Sequence, residues 1–129
     1  MCNLHKSRWR LLLALGSLLS GVVLTPACKP ETSIDDYPCP EGGTKLTYES
    51  FGAQFLASNC QTCHGQPSGS RKGAPGDYDF GTLEQARSHK RRIFARAAAD
   101  NVTMPPGPDD PPAAARDQLA EWLACGAPN

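Results

Sequence analysis

The chain has 129 residues with 13 basic and 13 acidic side chains, 12 glycines, 12 prolines and six cysteines. That length holds one domain at most, and the charge balance gives no argument for nucleic-acid binding.

Lys6, Arg8 and Arg10 precede an apolar run over 11–24, after which Thr25-Pro26-Ala27 offers small residues before a cleavage point. The pattern predicts a signal peptide over residues 1–27. Its 14-residue apolar run falls short of the roughly 20 residues a membrane-spanning helix needs, and no other stretch is a candidate. Removing the segment leaves 10 basic against 13 acidic groups, net −3. Cys28 follows directly and resembles the lipid-modified cysteine of bacterial lipoproteins, with Thr25 where that pattern favours Leu and Leu24 one place further back. Two fates stay open: lipidation, which would anchor the chain to a membrane through acyl chains, or ordinary cleavage that leaves Cys28 free or paired. Lys29 after the cysteine is similar to the outer-membrane pattern of such lipoproteins. The segment 28–38 is polar, carries Pro30 and Pro38 and lacks an apolar period, which predicts a tether ahead of a domain over 39–129.

Cys39 opens that domain and runs into the turn-like Pro40-Glu41-Gly42-Gly43. From Thr47, the residues Tyr48, Phe51, Gly52, Phe55, Leu56 and Asn59 recur at three- and four-residue steps. They predict a short amphipathic helix that runs into Cys60. A glycine inside a helix costs about 1 kcal/mol against alanine, so close backbone packing is the expected reason for Gly52.

Next stands Cys60-Gln61-Thr62-Cys63-His64, which reads as a c-type haem attachment site. Two thiols three residues apart can each add to one vinyl group of the same porphyrin, while the adjacent imidazole serves the iron as axial ligand. A zinc site would want a second cysteine pair, and the remaining cysteines are scattered singly. A thioredoxin-like redox pair would want a βαβ setting, which the sequence does not offer. Cys60 and Cys63 are therefore the expected covalent anchors of one haem c, and His64 its proximal ligand. Attachment of this kind, like disulfide formation, belongs outside the cytoplasm, in the periplasm or cell envelope.

Residues 65–81 are dense in Gly, Pro, Ser and charge, a loop expected to wrap one edge of the haem. Thr82 with Gln85 three residues on is a capping-box signature, and a helix is predicted over 83–99. Its apolar stripe would use Leu83, Ala86, Ile93, Phe94, Ala97 and Ala98. Arg87, Lys90, Arg91, Arg92 and Arg96 lie opposite, either as a solvated face, as a partner for a haem propionate, or as a patch for an acidic redox protein. His89, within that run, is expected to face solvent. Asp100 to Pro106 cannot be helical through its prolines, and Met104 there is the only methionine besides the initiator. Asp110-Pro111 gives an N-cap and first-turn proline for a last helix over 113–125, ended by Gly126, with Ala115, Leu119, Trp122 and Leu123 buried.

The attachment motif, the helices on either side and the methionine loop together resemble small bacterial class I c-type cytochromes, over about residues 44–127. The resemblance implies an all-α, cytochrome c-like fold of three main helices wrapped around one covalently bound haem. It matches Gly52 to the glycine eight residues before the first haem cysteine, and Leu56 to the apolar position four before it. It makes Met104 the sixth iron ligand, whose neutral thioether favours ferrous iron. It makes Pro75, with Pro67 a weaker competitor, the residue whose carbonyl accepts from the other ring nitrogen of His64. It also crosses the first and last helices, so that Phe51, Gly52 and Phe55 meet Leu119 and Trp122. In that arrangement Cys39 and Cys125 would form a disulfide joining the two ends of the domain. If Cys28 keeps its thiol, Cys28 with Cys39 is the rival pairing. The short span from His64 to Met104 departs from the family pattern and leaves the usual middle helices in doubt.

The function implied is one-electron transfer to redox partner proteins of the cell envelope, with no enzyme's substrate site and no nucleic acid. The alternatives are a gas-binding or peroxide-reactive haem domain with a labile sixth ligand, or a fixed haem subunit of a respiratory complex.

Overall fold

The computed structural model describes residues 31–65 and 71–129, so the expected signal peptide, Cys28 and Pro67 lie outside the described residues. Within them the chain is all-helical, without a strand. A π-helical turn Tyr48–Gly52 leads into α1 (Ala53–Asn59) and α2 (Gln61–His64); α3 (Leu83–Ser88) and α4 (Lys90–Ala97) follow, then α5 (Ala113–Ala124).

The first helical stretch starts where its chemistry permits. Thr47 accepts from the Ser50 N–H while the Ser50 hydroxyl accepts from the Thr47 N–H, so two of the orphan donors of the first turn are satisfied reciprocally. Phe51 and Gly52 both donate to the Thr47 carbonyl, which opens this turn to the wider π form. The helix then ends at Asn59, directly before the cysteine motif, as expected.

The helix expected as one piece over 83–99 is two. Its Thr82–Gln85 capping box is present, but the Ser88 hydroxyl donates to the Gln85 carbonyl at 2.8 Å, the same oxygen that the His89 N–H uses at 3.2 Å. Such side-chain competition bends helices, and the backbone turns at His89. The last helix begins at Ala113 as expected, but its cap differs. Pro112, not Asp110, occupies the N-cap, because the Pro112 carbonyl takes the N–H groups of Ala115 and Arg116. At its other end Gly126, with φ +89, closes a Schellman motif in which Gly126 donates to Leu123 and Ala127 to Trp122.

The core gathers Phe55 and Leu56 of α1, Ile93 and Phe94 of α4, and Leu119, Trp122 and Leu123 of α5. Of the expected meeting of the first and last helical stretches, the contacts of Gly52 and Phe51 with Trp122 are present. A Cβ on Gly52 would lie 2.6 Å from Trp122 Cζ2, and Phe51 meets the Trp122 ring edge-on at 6.4 Å. Chain ends are neighbours as well: the Pro128 carbonyl accepts from Tyr48 N–H and from Trp122 Nε1. Cys39 and Cys125 join there as a disulfide, Cα atoms 5.0 Å apart.

The expected tether requires a correction over 31–38. Ile34 and Tyr37 pack against the core, Tyr37 edge-on to Phe94 at 5.6 Å. The buried Asn101 amide donates to both the Thr32 and Phe94 carbonyls, each at 3.0 Å, and Arg91 pairs with Asp35. Two apolar residues with this spacing are too few to register as a period, yet enough to lay a strap with a turn at 34–36 on a helical core.

Candidate functional site

The site begins with α2, whose single turn carries both cysteines and the histidine. Cys60 is the residue between α1 and α2, so its thiol and that of Cys63 emerge from the same turn as His64. The turn is braced from outside. Phe80 donates its N–H to the His64 carbonyl at 2.7 Å, and the Gln61 amide donates to the Phe80 carbonyl at 3.1 Å. The loop that leaves the motif therefore returns to it. Phe80, 6% exposed, also lays its ring against the His64 imidazole, centroids 4.6 Å apart.

The His64 ring is oriented by a carbonyl, but not the one expected. His64 Nδ1 lies 2.8 Å from the Tyr78 carbonyl. Pro75 does not serve this role: its carbonyl accepts from Arg71 at 2.7 Å and from the Tyr78 N–H at 3.2 Å, which occupies both of its lone pairs. The chain turns at Pro75, with Tyr78 donating its N–H back to the Pro75 carbonyl, so the oxygen that comes round to His64 is three residues later. With Nδ1 as the donor to an amide oxygen, the lone pair is left on Nε2, the nitrogen free for a metal.

The methionine loop is anchored on α4. Met104 donates its N–H to the Arg96 carbonyl at 2.9 Å, and the Thr103 hydroxyl reaches the same oxygen at 3.2 Å. The last turn of α4 thus holds the loop through the Met104 N–H and the Thr103 hydroxyl, and Met104 is 41% exposed. A cavity of about 640 Å³ is lined by Cys60, Cys63 and His64 and also by Met104, Pro105 and Pro106. Phe80, Ile93 and Ala74 add apolar surface, and Arg92, Arg96 and Lys72 also border it. A volume of this size lies within the range of small-molecule and cofactor sites.

The residues fit a haem c. Its vinyl groups need two thiols, its iron a nitrogen lone pair and a second soft donor, its ring apolar walls, and its propionates cations at the edge. Each requirement has a residue among those that line this cavity. Burial pushes the Cys60 thiol up to about 12, with the neighbouring Cys63 adding to the effect, so the folded chain holds Cys60 as a neutral thiol. Among the described residues, no three His, Cys, Asp or Glu side chains converge as a metal-binding group of their own.

Three site residues escaped the sequence reading. Tyr78 and Phe80 sit in a loop without period, and their signal was two aromatics bracketing Asp79 in an otherwise polar stretch. Arg71 carried no signal beyond its charge. His89, expected in solvent, is half-buried with its ring 5.0 Å from Tyr78 and 5.8 Å from Phe80. The basic run divides: Arg92 and Arg96 border the cavity, Arg91 pairs with Asp35, and Arg87 donates to the Ala127 carbonyl. No family model, curated protein or solved structure matches this chain.

Proposed function

We propose that the chain is a mono-haem c-type cytochrome of the class I kind, a one-electron carrier of the bacterial cell envelope. The observation that supports this reading is the one cavity that Cys60, Cys63, His64 and Met104 all line. The helical crossing at Gly52 and Trp122 supports the cytochrome c-like fold, and the Tyr78 carbonyl on His64 Nδ1 supports the ligand role of the imidazole. A haem c held here supplies a single electron through its iron. The chain's own part is to fix the ring through two thioethers, to orient the His64 imidazole, to present the Met104 sulfur, and to keep water from most of the ring with Phe80 and Ile93. If His64 and Met104 both held the iron, no position would be left open for oxygen or peroxide, and outer-sphere transfer would be the remaining task.

A second reading rests on one observation. Met104 is 41% exposed, on a loop whose bonds to the Arg96 carbonyl come from the Met104 N–H and the Thr103 hydroxyl and not from the Met104 side chain. That favours a sulfur that leaves easily, and a haem domain that binds a small gas or reacts with peroxide.

The first test is covalent attachment. Protein matured in an oxidising bacterial envelope with haem available is expected to keep its haem on a denaturing gel. Loss of Cys60 or Cys63 singly should weaken that retention, and loss of both should abolish it. Haem lost from the wild-type chain on denaturation would remove the reading.

A further inference from the structure

We propose that Arg71 is a positioning residue for His64, holding the turn that delivers the Tyr78 carbonyl and drawing on that same carbonyl so that the imidazole is less electron-rich. The inference rests on the proposed role of His64 as haem ligand. Arg71 donates through Nε to the Ala74 carbonyl at 3.2 Å and through one Nη to the Pro75 and Tyr78 carbonyls at 2.7 and 3.1 Å. Its other Nη lies 2.5 Å from the Asp79 carboxylate, which is buried at 6% exposure and fixes the guanidinium plane. One planar cation thus gathers three carbonyls and a carboxylate from a segment of six residues. Only a guanidinium fork offers donors in that arrangement; an ammonium is a point charge with no fixed plane.

The Tyr78 oxygen has two lone pairs and two partners, His64 Nδ1 at 2.8 Å and Arg71 at 3.1 Å. A cation on an acceptor withdraws electron density from it and weakens its pull on the second donor. A carbonyl that pulls harder on Nδ1–H makes the imidazole more basic and stabilises ferric iron. Arg71 works against that, and so raises the reduction potential of the site.

The test uses the haem-loaded chain with Arg71→Gln and Arg71→Lys, read by midpoint potential and by the NMR shift of the His64 Nδ1 proton. Arg71→Gln is expected to move the oxidised-to-reduced ratio at fixed potential at least threefold toward oxidised, about 28 mV at 59 mV per tenfold. The Nδ1 proton should move in the direction of a stronger hydrogen bond. Arg71→Lys keeps the charge and the bulk, and should recover less than half of the shift. Equal potentials in wild type and Arg71→Gln, or full recovery in Arg71→Lys, would overturn the proposal while leaving the haem reading intact. If Arg71→Gln does not accumulate, Arg71→Lys alone decides, since a wild-type potential there overturns the proposal. A wild-type chain that carries no covalent haem would overturn both.

Discussion

Gly52→Ala tests the helix crossing that closes this domain. The added Cβ would lie 2.6, 2.7 and 3.0 Å from Cζ2, Cη2 and Cε2 of Trp122, where carbon pairs prefer about 3.5–4.0 Å. The indole cannot step aside freely: it is fully buried, donates to the Pro128 carbonyl at 3.1 Å, and is flanked by Tyr48 and Phe51. Relief requires the ring or the helix to retreat by about 1 Å. Overpacking of this kind costs about 1–3 kcal/mol, and the helix-propensity gain of alanine over glycine offsets up to about 1 kcal/mol. We expect a net loss of about 1–2 kcal/mol, read by denaturant unfolding of the loaded protein, with Tm lower by at least about 4 °C. Trp122→Phe trims the atoms that the new methyl strikes. A double-mutant cycle should therefore show Gly52→Ala and Trp122→Phe coupled favourably by at least about 1 kcal/mol. Unchanged stability in Gly52→Ala, or additive losses in the pair, would refute the argument that Gly52 exists to admit Trp122.

Two further outcomes follow from the cysteines. Cys39 and Cys125 close a loop with a sequence separation of 86, so replacing both by Ser should lower stability by up to about 4–5 kcal/mol, measured by urea unfolding; a loss under about 0.5 kcal/mol would contradict the cross-link. In the reduced chain without haem, the Cys60 thiol is raised to about 12 by burial and Cys63, so the folded state holds its proton more tightly than the unfolded state does. The stabilising proton is fully present below the unfolded value of about 8.5 and is lost as pH rises toward 12, so stability should fall across that window. Alkylation of Cys60 at pH 8 should accordingly be at least about a hundredfold slower than in the urea-unfolded chain, and equal rates would contradict the burial.

Much of this was legible because it was local or periodic. The cysteine motif is readable from spacing alone, and the Thr82–Gln85 box and the Leu119–Trp122–Leu123 stripe follow from helix geometry. Gly52 was legible as a close approach because an interior glycine is costly without a reason. The misses share a different cause. The carbonyl that meets His64 depends on how a loop without period folds back, and a turn at Pro75 shifts the acceptor to Tyr78. The break at His89 depends on one hydroxyl, Ser88, choosing a backbone oxygen. The strap over 31–38 is held by Asn101, 69 residues away from Thr32, and no window of local sequence reports such a bond.

On the proposed haem reading, the sixth iron ligand separates carrier from gas-binding domain, and the visible spectrum of the loaded protein tests it most directly. Ferric wild type should show the weak far-red band of sulfur on iron, and the ferrous form should ignore carbon monoxide. Met104→Ala should lose the band and bind the gas. Ready binding of carbon monoxide by ferrous wild type would contradict a firm Met104 ligand, and with it the claim that electron transfer is the site's only work.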